Sequence, residues 1–209
     1  MIMESKVEVI KEWLGTGSIN IFGLPMSGKD TQGIKLAETL NAKFLSSGII
    51  IRDKESKTNE AYSKSGSLIP TNIFYEWVLP YFEQPELFHT PLILSSIGRW
   101  SGEEEQVMSV AAGSGHPIMA AIVLELSEAD VINRFEKSKE SNDRGDRPDD
   151  QNLEIFHTRI QEFRQKTLPV IQHYKELGLL IRVNGNQSRE TVFNEIVEKL
   201  YEKASQSQS

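Results

Sequence analysis

The hydrophobic positions of this chain fall into short apolar runs separated by longer amphipathic stretches. Five runs have the length and composition of buried strands, and they lie at 19–22, 43–45, 91–95, 118–126 and 179–183. Parallel strands that are buried on both faces read as continuous apolar runs of this kind. Because the runs alternate with segments of helical periodicity, the pattern predicts a three-layer α/β/α fold, in which a parallel five-stranded sheet carries helices on both faces.

The stretches between the runs place apolar residues three and four positions apart, which is the spacing of an amphipathic helix. We expect helices at about 4–14, 29–40, 47–52, 71–78, 101–114, 128–135, 153–177 and 191–202. Thr71 is expected to act as the N-cap of the fourth of these helices, because its hydroxyl can accept from a free backbone N–H. Residues 53–65 are polar and predict a mobile helix or loop, and the polar tail 204–209 predicts disorder.

The strongest chemical signal lies between the first strand and the helix that follows it. Gly23, four further residues and then Gly28-Lys29 form the frame of a P-loop, a turn that binds phosphate. The two glycines permit positive φ and a close approach of backbone N–H groups, while the helix N-terminus and the lysine ammonium add positive charge. Asp30 occupies the position at which this loop usually has the Ser or Thr that binds Mg²⁺, and Thr31 follows it. The segment therefore predicts a cradle for a phosphate group.

Composition limits the other possibilities. The chain has 209 residues, which suits a single domain with a sizeable core. Its 30 acidic and 23 basic residues give a net charge of −7, which argues against a broad basic surface for nucleic acid. The absence of cysteine excludes disulfides, thiol catalysis and cysteine-ligated zinc. Neither a long apolar run nor a charged-then-apolar leader is visible, so we expect no membrane span, no secretory signal and a cytoplasmic location.

The decapeptide at 23–32 resembles the phosphate loop of the adenylate kinase (nucleoside monophosphate kinase) family, which commonly reads GxPGxGKGTQ. This chain matches that pattern at Gly23, Pro25, Gly28, Lys29, Thr31 and Gln32. Asp30 stands where the family usually has glycine. The resemblance implies that the loop binds ATP, with Mg²⁺ as the accompanying metal. The implied ATP-binding residues of the loop are Gly23, Pro25, Met26, Ser27, Gly28, Lys29, Asp30 and Thr31.

Three later segments resemble the part of the family that binds the nucleoside monophosphate acceptor. Ser47-Gly48 with Arg52 resembles S/T-G-D-x-L-R, residues 66–70 resemble G-x-L-V-P, and Arg99 ends a segment that corresponds to LLDGFPR. The resemblance implies that Arg52 and Arg99 bind the acceptor phosphate, within a helical acceptor segment at about 47–77. The implied acceptor residues are Ser47, Gly48, Arg52, Leu68, Ile69, Arg99, Glu103 and Gln106.

The acceptor segments also depart from the family. Ile49 and Ser95 each replace an aspartate, and Glu103 replaces a glutamine that reads the adenine edge, with Gln106 three residues later. A carboxylate accepts hydrogen bonds but cannot donate them, so Glu103 would read a base differently from an amide. AMP is the acceptor that the resemblance implies, and CMP, UMP and GMP remain open.

The region at 134–159 resembles the borders of the family's lid in its short form. Arg134, the cluster at 144–150 and Arg159 correspond to the pattern R…R-x-D-D…R, and the lid would span about 135–148. The alternative is a solvated, charge-rich loop. Catalytic roles through charge neutralisation are implied for Lys29, Arg99, Arg134, Arg147 and Arg159, and further ATP contacts for Arg134, Arg144 and Gln187.

The resemblance covers about 18–202 in the correct order, and it implies one ATP-dependent nucleoside monophosphate kinase domain over 1–209. We expect a monomer whose partners are small nucleotides rather than nucleic acid or membranes. A nucleotide-binding module without turnover also remains open, because Ser95 replaces an aspartate that orders the water around Mg²⁺ in the family. Our hypothesis is that Asp30 replaces that carboxylate and binds Mg²⁺ through water. The alternative is that Asp30 only stabilises the start of its helix through the helix dipole.

Overall fold

The structure is a computed structural model that describes residues 2–58, 61–141 and 152–207. Within these residues, five strands form one sheet in which every neighbouring pair is parallel. The strands are β1 (Ser18–Gly23), β2 (Lys43–Ser46), β3 (Leu92–Ser95), β4 (Ile118–Glu125) and β5 (Leu180–Asn184). Their order across the sheet is β2-β3-β1-β4-β5, which confirms the predicted parallel five-stranded sheet.

Helices fill the connections between the strands. Over the described residues, the α-helices are α1 (Ile2–Leu14), α2 (Lys29–Leu40), α3 (Ser47–Lys57), α4 (Thr71–Trp77), α5 (Glu103–Gly113), α6 (Glu128–Ser141), α7 (Leu153–Glu162), α8 (Leu168–Glu176) and α9 (Arg189–Ser207). Short 3₁₀ segments lie at Tyr62–Ser65, Leu79–Glu83 and Pro85–Leu87, and a π-helical turn at Phe163–Thr167 connects α7 to α8. None of the described helices combines the length and the apolar character that a bilayer crossing requires.

Side chains alternate across β1, and this alternation divides the core into two layers. Ile19 and Ile21 pack with buried residues of α1, α2 and α9. Phe22 packs on the opposite face, with buried residues of α3, α4, α5 and α8. All three side chains are fully buried. The arrangement of helices, sheet and helices is therefore the predicted three-layer α/β/α fold.

The structure corrects the prediction for the C-terminal tail. α9 continues to Ser207, so residues 204–207 are helical rather than disordered. Ala204 continues the four-residue spacing of Ile196 and Leu200, and all three side chains are fully buried. The small alanine thus extends the apolar side of the helix beyond the position at which polar residues begin to dominate the sequence.

Two further helices differ from their predicted extents. α6 continues to Ser141, so the segment at 135–141, which we assigned to the lid, continues the helix. The remaining lid residues fall within 142–151, which lie outside the described residues. The helix predicted at 153–177 is interrupted by the π-turn Phe163–Thr167, which adds one residue to a turn and changes the direction of the side chains that follow.

The N-cap prediction for Thr71 is wrong. Pro70 holds the N-cap position, and its carbonyl accepts from the N–H of Phe74 at 2.9 Å. Thr71 is the first helical residue, and its hydroxyl donates to Oε1 of Glu103 at 2.9 Å. The hydroxyl therefore connects α4 to α5 rather than closing the end of its own helix.

The carboxyl ends of the parallel strands lie along one edge of the sheet, where ligands of such sheets bind. Ile21 of β1 and Ser46 of β2 both pair with Ser95 of β3. The loops after these three strands consequently start side by side, and they carry most of the residues that the sequence assigns to a site.

Candidate active site

A cleft with about 1120 Å³ of open space lies beyond the carboxyl ends of β1, β2 and β3. Its walls come from the phosphate loop (residues 23–31), the start of α3, the loop at 66–69, the segment after β3, and α7 with its π-turn. The predicted site residues that line the cleft are Gly23, Pro25, Met26, Gly28, Lys29, Asp30, Thr31, Ser47, Gly48, Arg52, Leu68, Ile69, Arg99 and Arg159. The fold therefore brings together the predicted donor loop and the predicted acceptor residues.

The phosphate loop depends on its glycines. Gly28 is the N-cap of α2 and has a φ of 90°, in the left-handed region that glycine adopts without strain. A Cβ atom on Gly23 would lie 2.5 Å from Oγ of Ser27, so even alanine would displace the loop. Lys29 is the first residue of α2 and lines the cleft. The N-terminal end of α2 therefore lies at the cleft, where its dipole and N–H groups favour an anion.

Met26 is an unusual feature of the same loop. Its φ is 63°, although it is not a glycine, and the left-handed region costs such a residue about 1–2 kcal/mol. The buried side chain packs with Phe135 and Phe156, and this burial offsets the strain. The neighbouring hydroxyl of Ser27 is buried and has no hydrogen-bond partner among the described residues. A buried group of this kind is suited to a ligand that completes its hydrogen bonding.

Arg134 connects the phosphate loop to the segment after β5. Its Nη1 donates to the carbonyls of Met26 and Ser27, each at 3.3 Å, and its Nη2 donates to the carbonyl of Gly185 at 2.8 Å. Hydrogen bonds from a charged donor are stronger than neutral ones. The guanidinium of Arg134 therefore holds two separate backbone segments in one arrangement.

The start of α3 brings Arg52 and Ser47 to the cleft. The guanidinium of Arg52 lies over Gly48, because a Cβ atom there would be only 3.2 Å from Nη1. The missing side chain of Gly48 thus leaves the space that the arginine occupies. Ser47 is buried, and its hydroxyl donates to the carbonyl of Ser96 at 2.9 Å. This bond fixes α3 against the segment that follows β3.

Arg99 stands on a loop whose backbone is held from three directions. The side chain of Asn20 donates to the carbonyl of Ile97 at 2.7 Å and accepts from its N–H at 3.3 Å. The N–H of Arg99 donates to Oε2 of Glu103 at 3.0 Å, and its carbonyl accepts from the hydroxyl of Thr167 at 3.1 Å. The backbone that carries this arginine is therefore fixed before any ligand binds.

A smaller cavity, with about 240 Å³ of empty space when its opening to solvent is included, adjoins the cleft beside Arg99. Its lining residues are Ser47, Ile51, Leu68, Ile69, Phe74, Ser96, Arg99 and Glu103. Glu103 is 4% exposed; its Oε2 accepts from the N–H groups of Arg99 and Trp100, and its Oε1 accepts from Thr71. Burial raises the pKa of the Glu103 carboxyl, while these hydrogen bonds oppose that rise. The cavity is thus apolar except for two hydroxyls, a guanidinium and a carboxylate.

Asp30 and Ser95 form a contact between the first turn of α2 and the end of β3. The hydroxyl of Ser95 donates to Oδ1 of Asp30 at 2.6 Å, and both residues line the cleft. The described part of the chain contains no group of three or more His, Cys, Asp or Glu that could hold a metal ion. Carboxylate and hydroxyl oxygens are nevertheless the donors that Mg²⁺ prefers, and this ion needs only one or two carboxylates when phosphates and water complete its shell.

The loop at 66–69 packs directly on α7. Gly66 has a φ of 76°, and a Cβ atom there would lie 2.7 Å from the carbonyl oxygen of Ile155. The N–H of Leu68 donates to Oε2 of Glu162 at 2.9 Å. The same carboxylate accepts from Lys166 at 2.7 Å. These contacts connect the predicted acceptor segment to the helix that carries Arg159.

Some predicted site residues line neither cavity, namely Ser27, Gln106, Arg134 and Gln187. Gln106 is exposed, and the side chain of Gln187 donates to Oε2 of Glu195 at 2.7 Å. Ser27 belongs to the phosphate loop itself, and Arg134 supports that loop through its carbonyl groups. Arg144 and Arg147 lie outside the described residues.

The structure also adds residues that the sequence did not assign to the site. Asn20 and Thr167 fix the loop of Arg99, and Glu162 lines the cleft. A signal for Asn20 was present, because it is a polar residue inside the apolar run at 19–22. A buried polar side chain in a strand needs hydrogen-bond partners, and those partners here belong to the site. No comparable signal marked Glu162.

Comparison with known proteins gives relatives over nearly the whole chain. No protein-family model matches. The chain is 26% identical to an adenylate kinase of Micrococcus luteus over 187 residues, which cover 87% of this chain and 89% of that protein. It is 28% identical to an adenylate kinase of Parvibaculum lavamentivorans, over 84% of this chain and 88% of that protein. An adenylate kinase of Thermus thermophilus is 25% identical, over 88% of this chain and 97% of that protein.

The parallel sheet, the phosphate loop after β1 and the helices on both faces define a P-loop α/β protein. Within that class, the alignments over most of both sequences show that the chain is similar to adenylate kinases, at 25% to 28% identity. The family resemblance of the sequence is thereby confirmed.

Proposed function

We propose that this chain is an ATP-dependent nucleoside monophosphate kinase that transfers the γ-phosphoryl group of ATP to AMP and forms two ADP. In this reaction an oxygen of the AMP phosphate forms a bond to the γ-phosphorus. The bond from that phosphorus to the oxygen shared with the β-phosphate breaks in line with it. The names of the curated relatives support this reaction class.

The observation that carries the proposal is the shared cleft. The phosphate loop with Lys29 and the two arginines Arg52 and Arg99 line the same space. Phosphoryl transfer requires two phosphate groups in line and a neutralised charge, and little covalent chemistry from the protein. A module that only bound one nucleotide would not need a second set of positive groups.

Each side chain has a definite task in this proposal. Lys29 and the backbone N–H groups of the phosphate loop neutralise the β- and γ-phosphates of ATP. Arg52 and Arg99 hold the phosphate of AMP. Arg159, with Arg144 and Arg147 of the predicted lid, covers the transferring group and excludes water, which would otherwise hydrolyse ATP.

Mg²⁺ fits the oxygen donors at the cleft. Asp30 supplies a carboxylate, and Ser95 and Thr31 supply hydroxyls at the same wall. When bound, the ion would neutralise part of the charge of the phosphates. The residues of this chain would hold it mainly by orienting its water ligands, since phosphate oxygens provide the rest of the shell.

The hydrogen bonds of Glu103 support AMP over most other acceptors. Oε2 accepts two backbone N–H groups and Oε1 accepts one hydroxyl, which leaves capacity for one more donor at Oε1. The exocyclic amino group of adenine or cytosine provides one donor. The carbonyl at the corresponding position of uracil or thymine is an acceptor and would face Oε1, which is also an acceptor. Guanine presents two neighbouring donors, whereas Oε1 has capacity for one. CMP is therefore the remaining alternative acceptor.

The proposed activity is tested by product chromatography from ATP and Mg²⁺ with AMP, GMP, CMP, UMP or dTMP as the second substrate. We expect ADP from AMP, and loss of that product in Lys29→Met. Turnover with CMP alone would change the acceptor but keep the reaction class. Absence of turnover with all five acceptors, with ATP still bound, would instead support a binding module.

Glu103→Gln is expected to lower the preference for AMP over IMP. The amide oxygen must take the place of Oε2, which accepts two backbone N–H groups, so the N–H₂ group faces the base and donates to the carbonyl of hypoxanthine. A site built around a required hydrogen bond discriminates strongly, and we expect the ratio of kcat/KM values to fall by about tenfold or more. Glu105→Gln is the matched control, since Glu105 lies on the same turn of α5 and is exposed. An unchanged AMP to IMP ratio in Glu103→Gln would contradict base reading by this residue.

Arg134→Ala is expected to raise the KM for ATP by about tenfold and to leave the KM for AMP nearly unchanged. The substitution removes three charged hydrogen bonds to the phosphate loop and to Gly185, and each such bond contributes about 1.5–3 kcal/mol at most. Initial rates at varied concentrations of both substrates measure the effect. Arg164→Ala, at an exposed arginine that pairs with Glu128, is the control. Equal changes in both KM values would argue for a general loss of structure.

A further inference from the structure

Asp30 directly follows the P-loop lysine, at the position that usually carries the Ser or Thr whose hydroxyl binds Mg²⁺. We propose that Asp30 is the carboxylate that holds Mg²⁺, through its water ligands, and that Ser95 is a positioning residue that orients Asp30. The proposal rests on the proposed function, because the metal enters the cleft with ATP. It departs from the family, in which the carboxylate stands at the position of Ser95.

The contact between the two side chains is the first support. The hydroxyl of Ser95 donates to Oδ1 of Asp30 at 2.6 Å, and Ser95 is 1% exposed. Its backbone pairs with Ile21 of β1 on one side and Ser46 of β2 on the other, so both neighbouring strands fix its position. A fixed hydroxyl therefore sets the direction of a carboxylate that comes from a different element. The hydroxyl oxygen of Ser95 keeps lone pairs that can accept from a metal-bound water.

The location of the pair is the second support. Asp30 follows Lys29 in the first turn of α2, and Ser95 ends β3 four residues before Arg99. All four residues line the cleft. The carboxylate thus lies in the same cleft as the proposed donor and acceptor residues, where a cation would reduce the repulsion between the two phosphates.

A competing explanation is that Asp30 serves only the dipole of α2. An acidic residue in the first turn stabilises a helix wherever that helix lies in the molecule. This explanation needs neither the cleft nor Ser95. The two accounts differ in one measurable respect, because a carboxylate at the phosphates repels metal-free ATP and attracts the magnesium complex.

The test is isothermal titration calorimetry of ATP with an excess of EDTA and, separately, with Mg²⁺. The Kd with EDTA divided by the Kd with Mg²⁺ measures how much the metal contributes to ATP binding. This ratio requires no turnover. We expect Asp30→Asn to lower this ratio by about 10–100-fold, as loss of groups that orient metal ligands usually does. Ser95→Ala should change the ratio in the same direction by a smaller factor. Glu190→Gln, which removes an exposed first-turn acid of α9, should leave it unchanged.

The reciprocal variant Asp30→Gly with Ser95→Asp returns the carboxylate to the end of β3, and we expect it to restore the ratio toward the wild-type value. If Asp30→Asn does not fold, Asp30→Gly removes the carboxylate, places there the residue that the related loops usually have, and gives the same comparison. A lower melting temperature of Asp30→Asn with an unchanged Kd ratio would overturn the proposal in favour of the helix dipole. Absence of ATP binding by the wild-type chain would overturn both this proposal and the proposed function. Binding and turnover with a ratio indifferent to Asp30 would overturn this proposal alone.

Discussion

We expect Lys29→Met to lower kcat by on the order of 10²–10³-fold. This is the usual effect of removing one preorganised group that stabilises the charge of the transition state. Lys29 is the first residue of α2, it follows a glycine N-cap in the left-handed region, and it lines the cleft. Its ammonium group is thus carried by the loop that we propose binds the phosphates of ATP. Methionine retains most of the length of the side chain and removes the charge. Initial rates with saturating ATP and AMP measure the loss.

The control for this prediction is Lys35→Met. Lys35 lies on the same helix, is exposed, and its ammonium stands 4.1 Å from the centre of the Phe193 ring, on the opposite layer from the acceptor helices. Its replacement removes the same charge from the same helix, so kcat should change little. If the two variants lost activity equally, the effect would belong to the net charge or to the stability of α2 rather than to the cleft. Melting temperatures of both variants separate these cases.

The fold was largely predictable because its signals are local. Buried parallel strands produce apolar runs such as that at 118–126, and glycine with lysine at the end of β1 marks the turn into α2. The extent of α9 was not predictable from local polarity. Ala204 contributes little hydrophobicity, and its burial depends on the packing of α9 against distant elements such as α1 and β5.

The site residues that line the cleft with a charged group were predictable from the sequence. The residues that only hold other residues in place were less so. Arg52 and Arg99 were assigned from the resemblance of the segments that carry them, and both line the cleft. Asn20 was missed as a site residue, because its bonds to Ile97 join β1 to the loop after β3, which is distant in sequence. The role of Thr71 was assigned wrongly for the same reason, since its hydroxyl prefers Glu103, which is 32 residues away, to the end of its own helix.

Asp30 illustrates a different limit. Its presence in the phosphate loop suggested a metal role, but the sequence alone gave Ser95 only as a missing aspartate. The register of β1 and β3 brings the two residues together, because Ile21 pairs with Ser95 at the point where the phosphate loop begins. The departures from the family at positions 30 and 95 are thus parts of one site, although they are distant in sequence. The order of the strands in the sheet is needed to recognise this.

Arg99→Lys is expected to lower kcat/KM for AMP by on the order of 10²-fold, although the positive charge is retained. Arginine offers a planar fork of donors that matches two phosphate oxygens, whereas an ammonium is a point charge. The backbone of Arg99 is held by Glu103 and Thr167, so the substitution changes the head group without freeing the loop. The KM for ATP should remain close to the wild-type value, because the phosphate loop follows β1 and Arg99 belongs to the separate loop after β3. Steady-state kinetics with each substrate varied in turn measure both constants.

The matched control is Arg182→Lys, at an exposed arginine of β5 that pairs with Glu125 away from the cleft. It should leave all constants unchanged, since a surface pair contributes little. The most informative result is whether Arg99→Lys lowers kcat/KM equally for all acceptors. If Arg99 held the acceptor phosphate, the loss would appear for AMP and for every other acceptor alike, because all of them carry the same phosphate. A loss that varied with the base would instead assign Arg99 to the small cavity that it shares with Glu103, and a rise in the KM for ATP would assign it to the donor. The kinetic constants of Arg99→Lys therefore distinguish binding of the acceptor phosphate from recognition of the acceptor base.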